Sequence, residues 1–122
     1  MKLSFIIPTM SNVKDLRICV ASLRSFHPKE IVIIISNGAT PEQLKNQKEI
    51  ATRFKCEFFA FEKPLGFAVP VNAGIKLANQ TFDPDAYILI NDDIVFIRPV
   101  VENIVEGFGF DKKIGIFKIF ML

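Results

Sequence analysis

The chain has no tryptophan, one tyrosine, one histidine and only two cysteines among its 122 residues. Cys19 and Cys56 stand far apart, each within an apolar pattern, and no metal-ligand spacing involves them. They read as buried, reduced thiols. His27 precedes Pro28 in an expected loop and reads as structural. No run approaches the roughly 18 apolar residues that a membrane-spanning helix needs. The opening Met1 to Pro8 is too short for the apolar region of a signal peptide, and no small-residue cleavage pattern follows. A cytoplasmic location is therefore expected. Charge of either sign is also sparse in pattern. The formal net charge is +2 and the only adjacent basic pair is Lys112-Lys113, so the footprint of a nucleic-acid binder is missing. There is no internal repeat, low-complexity tract or linker, and the length fits one domain.

What the chain has in quantity is hydrophobic side chain: 50% of residues, 13 of them phenylalanine. That is rich for a soluble protein of this size. Some apolar area is expected to need cover from residues outside this chain, from another copy in a homo-oligomer, or from a membrane surface in peripheral contact.

Strand and helix signals alternate. Leu3 to Ile7 reads as a buried strand stopped by Pro8. Ser11 or Asn12 can cap a helix beginning near Val13, with Leu16, Cys19, Val20, Leu23 and Phe26 at helical spacing. Ile31 to Ile35 is a run of β-branched residues, and such continuity implies burial on both faces of a parallel sheet. Ser36-Asn37-Gly38 is turn chemistry. Thr40-Pro41-Glu42-Gln43 combines a Thr cap, Pro at the first helical position and Gln three residues later; the helix it opens runs to about Phe54. Cys56 to Phe61 reads as a third strand. A helix from Phe67 or Ala68 to Asn79 follows, with Pro70 in its first turn. Ala86 to Ile90 is a fourth strand, Arg98-Pro99 opens a helix to about Gly107, and Gly115 to Leu122 reads as a further strand. This is the pattern of an α/β fold: an open, mostly parallel sheet flanked by helices and joined by right-handed crossovers.

Ligands of such sheets bind beyond the carboxyl ends of the strands. Four segments lie there: Pro8-Thr9, Ser36-Asn37-Gly38, Glu62 to Gly66, and Asn91-Asp92-Asp93. In the last, an apolar strand ends in two adjacent carboxylates. That puts hard oxygen ligands at the rim of the sheet, where a divalent cation and a phosphorylated substrate can meet. Taken alone, the pair also fits a turn and helix cap.

In this order the segments resemble the nucleotide-sugar half of family 2 glycosyltransferases, which have the Rossmann-like GT-A fold. Ser4 to Thr9 looks like the family's first strand, and Glu30 to Gly38 like its second. Gly66-Phe67-Ala68 followed by Asn72-Ala73-Gly74 is similar to its Gly-Phe-Ala…Asn-x-Gly segment. Ile88 to Ile94 resembles its Asp-x-Asp region in the variant form Asn-Asp-Asp, and Ile114-Gly115-Ile116 its following strand. The resemblance spans nearly all of residues 1–122 but only about half of a typical catalytic domain, the acceptor half being absent.

The resemblance implies a set of roles. Asp93, with Asn91, would ligate Mg²⁺ or Mn²⁺ on the diphosphate of a UDP-, GDP- or dTDP-sugar. Asp92, or Asn91, would contact the ribose or the metal's water shell. Pro8 and Thr9 would hold base and ribose. Ser36 stands where the family commonly has a nucleoside-contacting Asp. Gly66 would offer backbone N–H groups to the substrate, although Pro64 replaces a common Asn. Asn72 would orient the Asp92-Asp93 loop or touch the sugar, and Gly74 would serve close packing or ligand approach. The reaction implied is transfer of the sugar, with inversion, to a glycan or lipid-linked acceptor. Its general base belongs to the family's second half; Glu102, Glu106 and Asp111 match no such motif. A catalytically inactive nucleotide-sugar-binding or interaction module is the rival reading. A nucleotidyltransferase would want a Gly-rich basic loop in place of Met10-Ser11-Asn12, and a receiver domain an acid pair after its first strand.

Overall fold

The computed structural model describes residues 1–110, with elements in the order β1 (Leu3–Thr9), α1 (Lys14–Phe26), β2 (Ile31–Asn37), α2 (Pro41–Arg53), β3 (Glu57–Phe61), α3 (Ala68–Thr81), β4 (Ala86–Leu89) and α4 (Val101–Phe110). The expected strand from Gly115 to Leu122 and the Ile114-Gly115-Ile116 match lie outside the described residues. The strands form one four-stranded sheet in the order β3-β2-β1-β4, and every pairing is parallel.

The apolar runs of β1 and β2, interrupted in β1 only by the buried Ser4, are explained by two-sided cover. Leu3, Phe5 and Ile7 of β1, with Val32 and Ile34 of β2, pack against α1, α2 and Ile104 of α4. Ile6, Ile33 and Ile35 point the other way, toward Ala78 of α3. Alternation along a strand puts successive side chains on opposite faces, so both sets must be apolar. No described helix is long and apolar enough to cross a membrane.

Several local expectations need correction. β1 continues through Pro8 to Thr9, with Pro8 opposite Ile35. Proline is tolerated because the Ile90 amide donates to the Ile6 carbonyl, and residues alternate in the neighbour they face. The missing N–H of Pro8 therefore points to the β4 side, where that strand has already ended. The helix expected from Arg98-Pro99 begins later, at Val101. The Val100 amide is held by His27 Nε2 at 3.0 Å, and its carbonyl accepts the Ile104 amide. Asn12 rather than Ser11 serves the start of α1, its Oδ1 accepting the Asp15 amide at 3.1 Å. At α2 the capping box forms as expected between Thr40 and Gln43.

Gly74 has a clear packing reason. A Cβ there would lie 2.8 Å from Ile6 Cγ2 and 3.2 Å from Ile35 Cγ1. The missing side chain lets α3 settle onto the sheet, which decides for close packing over ligand approach.

Two predictions follow from these contacts. Gly74→Ala should destabilise by about 1–3 kcal/mol, because the branched Ile6 and Ile35 side chains cannot yield easily. Urea unfolding checks it; a gain in stability, as helix propensity alone favours, would contradict the packing. His27 is buried, and that burial lowers its pKa below 6.5. Its contribution to stability is thus fully present above pH 6.5 and lost as pH falls through the folded value. As the chain's only histidine, it should give a measurable fall in unfolding free energy below pH 6.5; a flat profile there would contradict its neutral, buried state.

Candidate active site

The strand order sets the place. From β1 the chain moves outward through β2 and β3, then returns to put β4 on the opposite side of β1. The crevice between the carboxyl ends of β1 and β4 is the topological switch point, where open α/β sheets take ligands. Register does the rest. Ile6 pairs with Leu89, and Thr9 and Asp92 each lie three residues further on. The two therefore meet across the crevice, and Thr9 Oγ1 lies 2.7 Å from Asp92 Oδ2. A single hydroxyl proton serves one acceptor; the carboxylate takes it over the Asn12 carbonyl, which is 3.4 Å away. Thr9 is buried and Asp92 half-buried, while Asn91 and Asp93 are exposed at the rim.

The segment after the carboxylates is strapped to α1 at three heights. Cys19 Sγ approaches the Asn91 carbonyl at 3.7 Å. Ser22 Oγ accepts the Phe96 amide at 2.8 Å and donates to the Cys19 carbonyl at 2.9 Å. His27, the residue that ends α1, holds Val100, and its ring forms a three-membered aromatic cluster with Phe5 and Phe96. Burial, then the nearby Asp92 and Asp93 charges, push the Cys19 thiol up to about 12. It stays protonated and serves as a donor. Burial likewise raises Cys56 to about 11, against the opposing pull of Arg24. Both thiols are free, as the sequence implied.

The β2 end supports both lips of the cleft. Asn37 Oδ1 accepts the Leu65 amide at 2.9 Å, and its Nδ2 donates to the Gly66 carbonyl at 3.0 Å. Gly38 sits at φ +84°, where a Cβ would come within 2.6 Å of Pro64. This is a close approach that only glycine permits. Ser36 Oγ donates to Gln47 Oε1 at 2.6 Å, and Gln47 Nε2 donates to the Met10 carbonyl at 2.8 Å.

The resulting cleft has a volume of about 500 Å³. Pro8, Thr9, Gly66, Asn91, Asp92 and Asp93 line it together. Ser36 and Asn72 do not: Ser36 is fully buried and turned toward Gln47, and Asn72 is exposed on α3. Sequence reasoning missed Met10, Ser11, Asn12, Asn37, Phe67 and Pro70 in the lining. Asn37 had passed as a turn residue. Gln47 carried a legible signal, a polar side chain on the buried stripe of α2 with Ile50 and Ala51. A depression of about 600 Å³ along Leu44, Lys45, Lys48 and Arg53 is an open groove on the outer face of α2. It lies away from the strand ends, and geometry favours the smaller cleft.

Among the described residues no three His, Cys, Asp or Glu side chains gather to cage a metal. The two rim carboxylates with the Asn91 amide suit instead a hard cation that takes its remaining ligands from phosphate and water, as Mg²⁺ does.

No curated protein matches the chain. Among solved structures, S. aureus TarS superposes with TM-score 0.70 at 16% identity, over 90% of this chain and 20% of that one. TarS 1–349 in complex with UDP gives 0.71 at 16% identity, over 92% and 33%. The mannosyltransferase PcManGT from Pyrobaculum calidifontis, in complex with GDP-Man and Mn²⁺, gives 0.70 at 11%, over 88% and 32%. This chain thus spans a fifth to a third of the length of these neighbours, which share its fold. Residues 4–120 match the profile described as Glycosyl transferase family 2, and the chain belongs to that family.

Proposed function

We propose that this chain is the donor-binding part of a glycosyltransferase, taking a nucleoside-diphosphate sugar together with Mg²⁺ or Mn²⁺. The observation that carries this reading is the Thr9–Asp92 hydrogen bond at the β1–β4 crevice, beside an exposed Asp93. Thr9 occupies one oxygen of Asp92 and fixes its orientation. Asp93 has no such constraint and is the better metal ligand, with Asn91 as an auxiliary oxygen donor. A cation bound there neutralises the negative charge that grows on the departing diphosphate. Met10 to Asn12 on one lip, and Gly66 with Phe67 on the other, bound the space for base and ribose. Neighbours solved with UDP and with GDP-Man and Mn²⁺ support a nucleotide-linked donor. Inversion, a glycan or lipid-linked acceptor and a cytoplasmic setting complete the proposal. The acceptor wall and the general base would lie in a part of the domain that these residues do not provide.

A second reading is a binding module of the same fold without turnover. Ser36 favours it, because it stands where the family commonly has a charged Asp and is turned inward to Gln47. Detectable hydrolysis or transfer from a sugar nucleotide by this chain would exclude that reading.

Calorimetric titration of UDP and GDP with Mn²⁺ tests the donor site. One of them should bind, and chelation of the metal should abolish the heat. Asp93→Ala should weaken binding about a hundredfold and Thr9→Val roughly tenfold, as for a ligand and its orienting partner. Equal binding by wild type and Asp93→Ala would count heavily against the assignment.

A further inference from the structure

The structure assigns to Gln47, a residue of α2 outside the cleft, the role of positioning residue for the nucleoside side of the site. This rests on the donor-binding reading above. Gln47 is fully buried, and a buried primary amide must find partners for both of its ends. The Met10 carbonyl at 2.8 Å can only accept, so the end of the amide that faces the β1–α1 loop must be Nε2, with the Asn12 carbonyl at 3.5 Å beyond it. Oε1 then faces Ser36 Oγ and accepts its proton at 2.6 Å. Met10, Ser11 and Asn12 line the cleft, and Met10 is 52% exposed. No other side chain described here holds the Met10 carbonyl. The loop's conformation is thus set from behind, by a network in which Ser36 anchors one end of Gln47 and the other end holds the lip.

The opposite lip has its own support, the Asn37 clamp on Leu65 and Gly66. Asp92 is held by Thr9, and the backbone that carries both carboxylates by the Cys19 thiol at the Asn91 carbonyl. Gln47 should therefore influence the part of a ligand that meets Met10 to Asn12, the base and ribose. It should leave the part that meets Asp93 alone. This gives Ser36 a purpose different from direct ligand contact: a buried hydroxyl that donates to Gln47.

The test compares two probes, UDP and inorganic pyrophosphate, each with Mn²⁺, on wild type, Gln47→Leu and the double variant Gln47→Leu/Ser36→Ala. Leucine conserves volume, and the second substitution removes the hydroxyl left unpaired by the first, so stability should partly recover. Expected is a loss of about tenfold in UDP affinity in both variants, the scale of one buried hydrogen bond, with pyrophosphate affinity unchanged. Backbone order parameters of Met10 to Asn12 in the free protein should fall in both variants while those of the strands hold. Recovery of UDP affinity with stability in the double variant would overturn the assignment, as would equal weakening of both probes. A wild type that binds neither probe would sink the donor-binding reading instead. In that case, unchanged order parameters in the variants would still refute the positioning role on their own.

Discussion

Two strands that must be covered on both faces govern this molecule. β1 from Phe5 to Ile7 and β2 from Ile31 to Ile35 are apolar at successive positions, so neither side of the sheet centre can face water. Helices are needed above and below, and a helix inserted after each strand carries the chain back so that the next runs parallel to the last. Parallel strands end at one edge. Everything chemical about the chain follows from that: the polar residues that terminate the strands are gathered along a single rim, and the reversal of strand order between β1 and β4 opens a crevice within it. The close seat of α3 on Ile6 and Ile35, made by the missing side chain of Gly74, is the same requirement at atomic scale.

The site is built less by the residues that face it than by those behind it. Asp92 is oriented by Thr9 across the register. The backbone carrying the carboxylates is tied to α1 by a thiol, a hydroxyl and an imidazole. The lips are fixed by two buried amides, Asn37 and Gln47. Apart from Thr9 on Asp92 and Ser36 on Gln47, these bonds end on backbone atoms and so constrain chain path more than charge. Arg24 does similar work at the other end of the sheet, where its guanidinium reaches the carbonyls of Phe54, His27, Glu30 and Lys55. Two adjacent carboxylates, one bound internally and one exposed, suit a hard cation that takes its other ligands from phosphate and water.

Much of this was legible beforehand where one local rule dominates. The β-branched run Ile31 to Ile35 declared a two-sided strand, and the Thr40–Gln43 box fixed a helix start because three signals agreed. The four strand-end segments located the crevice. What escaped was tertiary. Pro8 looked like a terminator because its missing N–H matters only if a neighbour strand faces it, and the early end of β4 removes that neighbour. Val101 replaced Arg98-Pro99 as the start of α4 because His27, distant in sequence, holds Val100. Ser36 and Asn72 hold places in a motif, but side-chain direction is not given by sequence: Ser36 is buried against Gln47, and Asn72 is exposed on α3 outside the cleft lining. Asn37 showed the converse, a turn residue by composition that proved to be a clamp.

The central claim is that a cation and a diphosphate meet between the carboxyl ends of β1 and β4. Paramagnetic broadening of amide resonances by Mn²⁺, with and without UDP, tests it most directly. The account predicts loss of signal centred on Asn91 to Asp93 and spreading to Thr9 and Gly66, sharpened by the nucleotide. Broadening centred on the outer face of α2, around Lys45 and Lys48, or spread evenly over the surface, would contradict it.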